Sequence, residues 1–204
     1  MNRGSLIIVS GPSGSGKDTV LREVLKKMPD LDFSISSITR DMRVGEVEGE
    51  KYNFISRETF EKMIADNALL EYNVYCGNYY GTPKAPVKNC INKGGDIILE
   101  VDVNGAENVR KNFKDCFSVF IAPPSFEVLK NRLASRGTET QEVIEKRLAQ
   151  AKSELSRINE YDYIVVNDDL STAVEEFVEI IRTERRKVNR NLDLVNNLKN
   201  ISHN

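Results

Sequence analysis

Seven consecutive residues, Gly11-Pro12-Ser13-Gly14-Ser15-Gly16-Lys17, keep the spacing G-x-x-x-x-G-K between a short apolar run and a segment of helical periodicity. That context, strand before and helix after, is what a phosphate-binding loop requires. The glycines let successive backbone N–H groups turn inward, the following helix adds the partial positive charge of its N-terminus, and Lys17 reaches the terminal phosphates. An ordinary Gly/Ser turn would need neither flanking element. The next residue departs from the pattern: Asp18 stands where a Ser or Thr hydroxyl would meet a magnesium ion, with Thr19 one place later. A carboxylate there either meets the metal, directly or through water, or repels phosphates, or stabilises the first helical turn through the dipole. The sequence leaves these readings open.

A second pair of chemical groups, Glu100 and Asp102, follows the apolar stretch Ile97-Ile98-Leu99. Residues two apart on a strand face one side, and open α/β sheets hold their ligands at the carboxyl ends of their strands. Other chemistries are poorly supplied. Cys76, Cys90 and Cys116 are widely spaced and odd in number, and the single histidine is His203, so neither a zinc pattern nor a disulfide framework is present. A reducing cytoplasm is the expected compartment.

The elements that must position these groups read as follows. Leu6 to Val9, Ile97 to Leu99 with Val101, Val119 to Ile121 and Ile164 to Val166 are short, β-branched and bounded by turn residues, as buried parallel strands are. Val20, Leu21, Val24 and Leu25, and again Ile144, Leu148, Ala151, Leu155 and Ile158, keep the three- and four-residue steps of a helix face. Alternation of the two predicts an α/β fold: a three-layer parallel sheet with helices on both faces. The stretch 38–83 breaks the rhythm with two aromatic-rich extended pieces, Tyr52 to Ile55 and Leu69 to Tyr75, around a short helix near Arg57, and reads as an inserted lobe. Residues 1–37, 84–134 and 160–188 are then the core, 135–159 a lid carrying charge at a Gly hinge plus its following helix, and 189–204 a frayed, Asn-rich tail.

With 204 residues the chain can bury one sizeable core, and its net charge of -2 provides no bulk attraction to nucleic acid or anionic membrane. The apolar run Leu6 to Val9 is too short for a signal-peptide core or a membrane span.

The segments Ser36 to Glu46, Tyr52-Asn53-Phe54, Gly77 to Thr82, Ile121 to Ser125, Arg136 to Thr140 and Val166 to Asp169, taken with the phosphate loop, resemble guanylate kinase over nearly the whole chain. The resemblance implies a P-loop kinase of three parts, a core, a GMP-binding lobe and a lid, that transfers the γ-phosphoryl group of ATP to GMP or dGMP in purine nucleotide metabolism, with magnesium. It assigns Gly11, Pro12, Ser13, Gly14, Ser15, Gly16, Lys17, Asp18 and Thr19 to ATP, and Asn167 to a place beside the adenine. It assigns Ser36, Arg40, Arg43, Glu46, Tyr52, Glu71, Tyr80, Thr82, Glu100 and Asp102 to the GMP side, with Asp102 nearer GMP than Glu100. Arg132, Arg136 and Arg147 correspond to lid arginines that meet the transferring group.

The residue chemistry agrees. Arg40 and Arg43 offer planar charged forks for a monophosphate, and tyrosine hydroxyls donate without adding charge. Glu71, an acceptor only, suits the adjacent N1–H and 2-amino donors of guanine, whereas adenine presents a ring acceptor there. Three rivals remain: a non-catalytic phosphopeptide scaffold, opposed by the intact lysine, glycines and lid arginines; a kinase for another nucleotide, opposed by Glu71; and a nucleic-acid binder using Arg182, Arg185, Arg186, Lys187 and Arg190, which alternate with Glu184 and apolar residues as a solvated helix end would.

Overall fold

The computed structural model describes residues 4–135 and 141–200. The expected hinge at Arg136 to Thr140 and the histidine at 203 lie outside them. Five strands, β1 (Leu6–Ser10), β2 (Leu31–Phe33), β7 (Asp96–Glu100), β8 (Cys116–Ala122) and β9 (Tyr163–Val166), form a wholly parallel sheet in the order β2-β7-β1-β8-β9. Four of them are the apolar runs read from the sequence. The fifth, β2, was not: it is a three-residue edge strand with one buried residue, Leu31, too short to show periodicity.

β1 is buried along its whole length, and its alternate residues serve opposite layers. Ile7 and Val9 pack with Val20 and Val24 of α1 (Lys17–Lys27) and with Phe177 and Ile181 of α7 (Leu170–Arg185). Leu6 and Ile8 pack on the other face with Val87 and Ile91 of α3 (Lys84–Asn92) and Val109 of α4 (Val103–Asn112). Two apolar faces on one strand give the continuous hydrophobic run of a parallel sheet, the pattern visible in the sequence.

The stretch that broke the strand–helix rhythm forms a second sheet, order β4-β3-β6-β5, from β3 (Ser36–Ile38), β4 (Tyr52–Phe54), β5 (Leu69–Tyr75) and β6 (Asn78–Pro83). Helix α2 (Arg57–Ala65) covers it, with Phe60 buried and stacked 5.0 Å from Tyr79. Two further helices, α5 (Phe126–Ala134) and α6 (Gln141–Leu155), pack together through Leu129, Leu133 and Ala151.

The tail corrects the sequence reading. Residues 192–200, expected to fray, form the helix α8 (Leu192–Asn200). Just before it, the Asn191 amide donates to the carbonyls of Arg185 at 2.8 Å and Lys187 at 2.9 Å, satisfying the end of α7 and turning the chain. The Asn-rich composition concealed that anchoring.

Candidate active site

Helix starts in the chain are of two kinds, side-chain capped and uncapped, and α1 and α3 are of the second kind. The helices α2, α4, α5 and α7 each have a side-chain cap, from Ser56, Asp102, Ser125 and Asp169 respectively. α1 follows Gly16, which has no side chain to cap with, so its first N–H groups face outward for a ligand. Gly16 has φ +82°, and a Cβ on it would lie 2.3 Å from the Asn167 amide nitrogen. A Cβ on Gly11 would lie 2.3 Å from the Ile121 carbonyl oxygen, where the loop leaves β1 against β8. The motif glycines are thus demanded by close approach as well as by backbone angle.

Asn167 and Arg132 brace this loop from behind. The Asn167 amide donates to the Ser15 carbonyl at 2.7 Å, and Arg132 donates to the Asn167 carbonyl at 3.0 Å and the Ser15 carbonyl at 3.5 Å. Asn167 therefore meets Ser15 and Gly16, a contact the sequence reading, which set it beside the adenine, did not anticipate. Asp169, two residues on, caps α7 and fixes the exit of the turn.

Across a cleft of about 390 Å³, Gly11, Ser13 and Lys17 face Ser36, Arg40, Arg43, Tyr52, Glu71, Tyr80, Glu100 and Asp102. That volume is within the range of small-molecule sites. Strand register explains the assembly: β3 sets Ser36 beside Tyr52, and β6 sets Tyr80 between Ile38 and Asn73. Arg40 follows β3 and lies 5.5 Å and 5.6 Å from the Tyr52 and Phe54 ring centres. Glu46 does not line the cleft; it holds Arg40 in a bidentate pair at 2.7 Å and 2.6 Å and accepts the Arg43 N–H at 2.8 Å. These bonds, Arg40 first, hold the Glu46 carboxyl down at about 2. The remaining Nε–H of Arg40 is buried with no partner, an unspent donor in a guanidinium already fixed in place.

Glu71 is buried and accepts a 2.7 Å hydrogen bond from the Thr82 hydroxyl, which stands behind it. Burial pushes the Glu71 carboxyl up to about 7, against the pull of that bond. Asp102 caps α4 through the Gly105 N–H at 2.7 Å and accepts from Asn73 at 3.1 Å. Glu100, at the end of β7, pairs directly with Lys17, whose ammonium is also 3.3 Å from Asp18. Arg147 of α6 borders a smaller space with Ser13, Tyr75, Gln150 and Glu154. Arg136 lies outside the described residues.

Several cleft residues escaped the sequence reading. Asn73 and Tyr75 follow Glu71 in steps of two along β5, and Gln150 and Glu154 follow Arg147 in steps of three and four along α6, so the periodicities could have found them. Lys51, which borders the cleft through Glu100 rather than lining it, has no such signal. It lies just before β4 and reaches Glu100 at 3.0 Å and Asp18 at 3.4 Å. Burial works against its charge, but Glu100 and Asp18 outweigh that and raise its pKa.

Among the described residues no group of three or more His, Cys, Asp or Glu side chains forms a metal cage. Glu100 and Asp18 instead form a pair of carboxylates held between Lys17 and Lys51.

A parallel sheet with an uncapped, glycine-turned helix start, facing an arginine-bearing lobe over one cleft, defines a P-loop phosphotransferase with a separate acceptor lobe. The comparisons narrow the class: a family model described as guanylate kinase matches residues 3–184, and the chain belongs to that family. Guanylate kinase of Carboxydothermus hydrogenoformans is 47% identical over 190 residues, covering 93% of both chains. That of Gloeobacter violaceus is 52% identical over 170 residues, 83% of each. The crystal structure of guanylate kinase from Anaplasma phagocytophilum superposes with a TM-score of 0.77 at 30% identity, covering 93% of this chain and 90% of that one.

Proposed function

We infer that the cleft carries the reaction of the family, transfer of the γ-phosphoryl group of ATP to GMP, and to dGMP, giving ADP and the nucleoside diphosphate. One observation carries this reading: the phosphate loop and an arginine–tyrosine–carboxylate pocket face each other across a single cleft. The loop N–H groups and Lys17 hold the donor phosphates. Arg40 and Arg43, with the Tyr52 and Tyr80 hydroxyls, hold the acceptor phosphate, and Glu46 keeps Arg40 aimed at it. Glu71 accepts the two guanine donors, with Ser36 at the base edge and the Thr82 hydroxyl holding Glu71 from behind. Asp102, positioned by Asn73 and the start of α4, borders the same nucleotide.

The acceptor oxygen is already anionic, so the chain needs no catalytic base. Its task is alignment and charge neutralisation, by Lys17, Arg132, Arg136 and Arg147, in a cleft shielded from water. Asp18 or Thr19 would hold a magnesium ion, largely through water, and the ion would supply further neutralisation of the phosphate oxygens. The described residues contain no helix long and apolar enough to cross a membrane. Of the basic C-terminal residues, Arg185 is engaged by Asp96 at 2.6 Å and Asp30 at 2.8 Å, and Lys187 by Glu184 at 2.6 Å.

The test is ADP formation from magnesium and ATP with GMP, dGMP, AMP, UMP or no acceptor in parallel. Strong dependence on GMP is expected. Equal turnover with AMP would overturn the assignment of Glu71.

A further inference from the structure

The residue that breaks the loop pattern, Asp18, and Lys51, which carries no sequence signal and lies beside the cleft rather than in its lining, meet. Lys17 and Lys51 approach opposite oxygens of Glu100, Oε1 and Oε2, and share Oδ1 of Asp18. Two ammonium groups and two carboxylates thus form one neutral cluster at the mouth of the loop. Lys17 and both carboxylates belong to the core, whereas Lys51 arrives from the acceptor lobe, at the start of β4. Its position is fixed further by the Tyr52 ring, 5.9 Å from its nitrogen.

Lys17 cannot serve donor phosphates while it is held by Glu100 and Asp18. If it left alone, two uncompensated carboxylates would remain beside an arriving polyphosphate, and their repulsion would oppose binding. Lys51 resolves this, because it already touches both carboxylates and remains when Lys17 turns away. We propose that Lys51 is a positioning residue of the phosphoryl-transfer site, a counter-cation supplied by the acceptor lobe that keeps Glu100 and Asp18 neutralised and so frees Lys17 for the donor phosphates. Asp18 is tolerated in place of a hydroxyl because Lys51 stands opposite it.

This rests on the reading that the loop takes ATP, and calorimetric titration of the full chain with ADP in EDTA, without metal or turnover, separates the two ideas. If the wild-type chain fails to bind ADP, the underlying reading falls. If it binds, Lys51→Met is expected to weaken ADP about tenfold while GMP affinity stays within about twofold, and Lys51→Arg to keep ADP within about threefold of wild type. Adding Asp18→Asn to Lys51→Met should recover most of the loss, since Lys17 then has one carboxylate fewer to leave. Unchanged ADP binding by Lys51→Met overturns the proposal. So does equal weakening of ADP and GMP with a lower unfolding midpoint, the mark of a merely structural role, and so does failure of Asp18→Asn to restore binding, which would mean that Lys51 touches the phosphates itself.

Discussion

Glu71 is held where its ionised form is unwelcome. Its carboxyl is raised from 4.5 to about 7, chiefly by burial, and the Thr82 hydroxyl compensates only in part. The native chain therefore binds a proton that the unfolded chain lacks between those pH values, so the group's contribution to stability falls as pH rises from 4.5 to 7, by about 3 kcal/mol at full ionisation. Guanine would return some of that cost by bringing two donors to the anion. Below pH 7 the protonated carboxyl instead presents a hydrogen to those donors. GMP affinity should thus be flat above about pH 8 and fall as pH drops below about 7, approaching about tenfold per unit. Glu71→Gln should raise the KM for GMP by about 10- to 100-fold and leave only the nucleotide phosphate's own titration near pH 6. Steady-state kinetics of both forms from pH 5.5 to 9 check this; identical profiles would exclude Glu71 from base recognition.

The phosphate loop and the strands behind it show what one element imposes on another. Gly16→Ala places a side chain on a φ of +82° and a methyl group 2.3 Å from the Asn167 amide. Asn167 must then release the Ser15 carbonyl, and Arg132, which grips both, loses its seat. The backbone strain alone costs about 1–3 kcal/mol. The expected result is a lower thermal midpoint and ADP binding weakened by at least about tenfold, with GMP binding within about threefold because Arg40 and Glu71 lie in the other sheet. Calorimetric titration with each nucleotide checks it, and equal loss of both would show that the two sheets do not bind separately. At this scale much was legible from sequence. The glycine spacing, four of the five strands of the parallel sheet and the aromatic pieces of the lobe carry strong local patterns. Asn73 and Tyr75 were legible in principle, since residues two apart on a strand share a face. Lys51 was not, because only the meeting of two sheets brings it to Glu100 and Asp18. The support that Asn167 gives the loop was not legible, because it depends on side-chain direction and not on spacing.

In the whole molecule, binding and stability occupy opposite ends of the parallel sheet. Where the carboxyl ends of the strands face the second sheet across the cleft, polar groups lack full pairing: the uncapped start of α1 and, from the second sheet, the Nε–H of Arg40 and the raised carboxyl of Glu71. The opposite end is closed by polar bonds. Asp96, buried at the start of β7, accepts the Ser5 N–H at 2.8 Å and Arg185 at 2.6 Å, and Arg185 also reaches Asp30 at 2.8 Å. Nearby, Tyr163 donates to buried Glu184 at 2.5 Å, joining β9 to α7. Arg185→Met would keep the packing of the side chain but deprive Asp96 of a charged partner, at a cost of about 2 kcal/mol. Because this cluster touches no cleft residue, kcat and both KM values should stay within about twofold at temperatures where the variant is folded. Urea unfolding followed by circular dichroism reads the first quantity and steady-state assay the second. A change in either KM without loss of stability would show the two ends to be coupled through the sheet. The expected pattern, loss of stability with kinetics intact, would mean that the cost of leaving polar groups unsatisfied for nucleotides at one end is offset by complete pairing at the other.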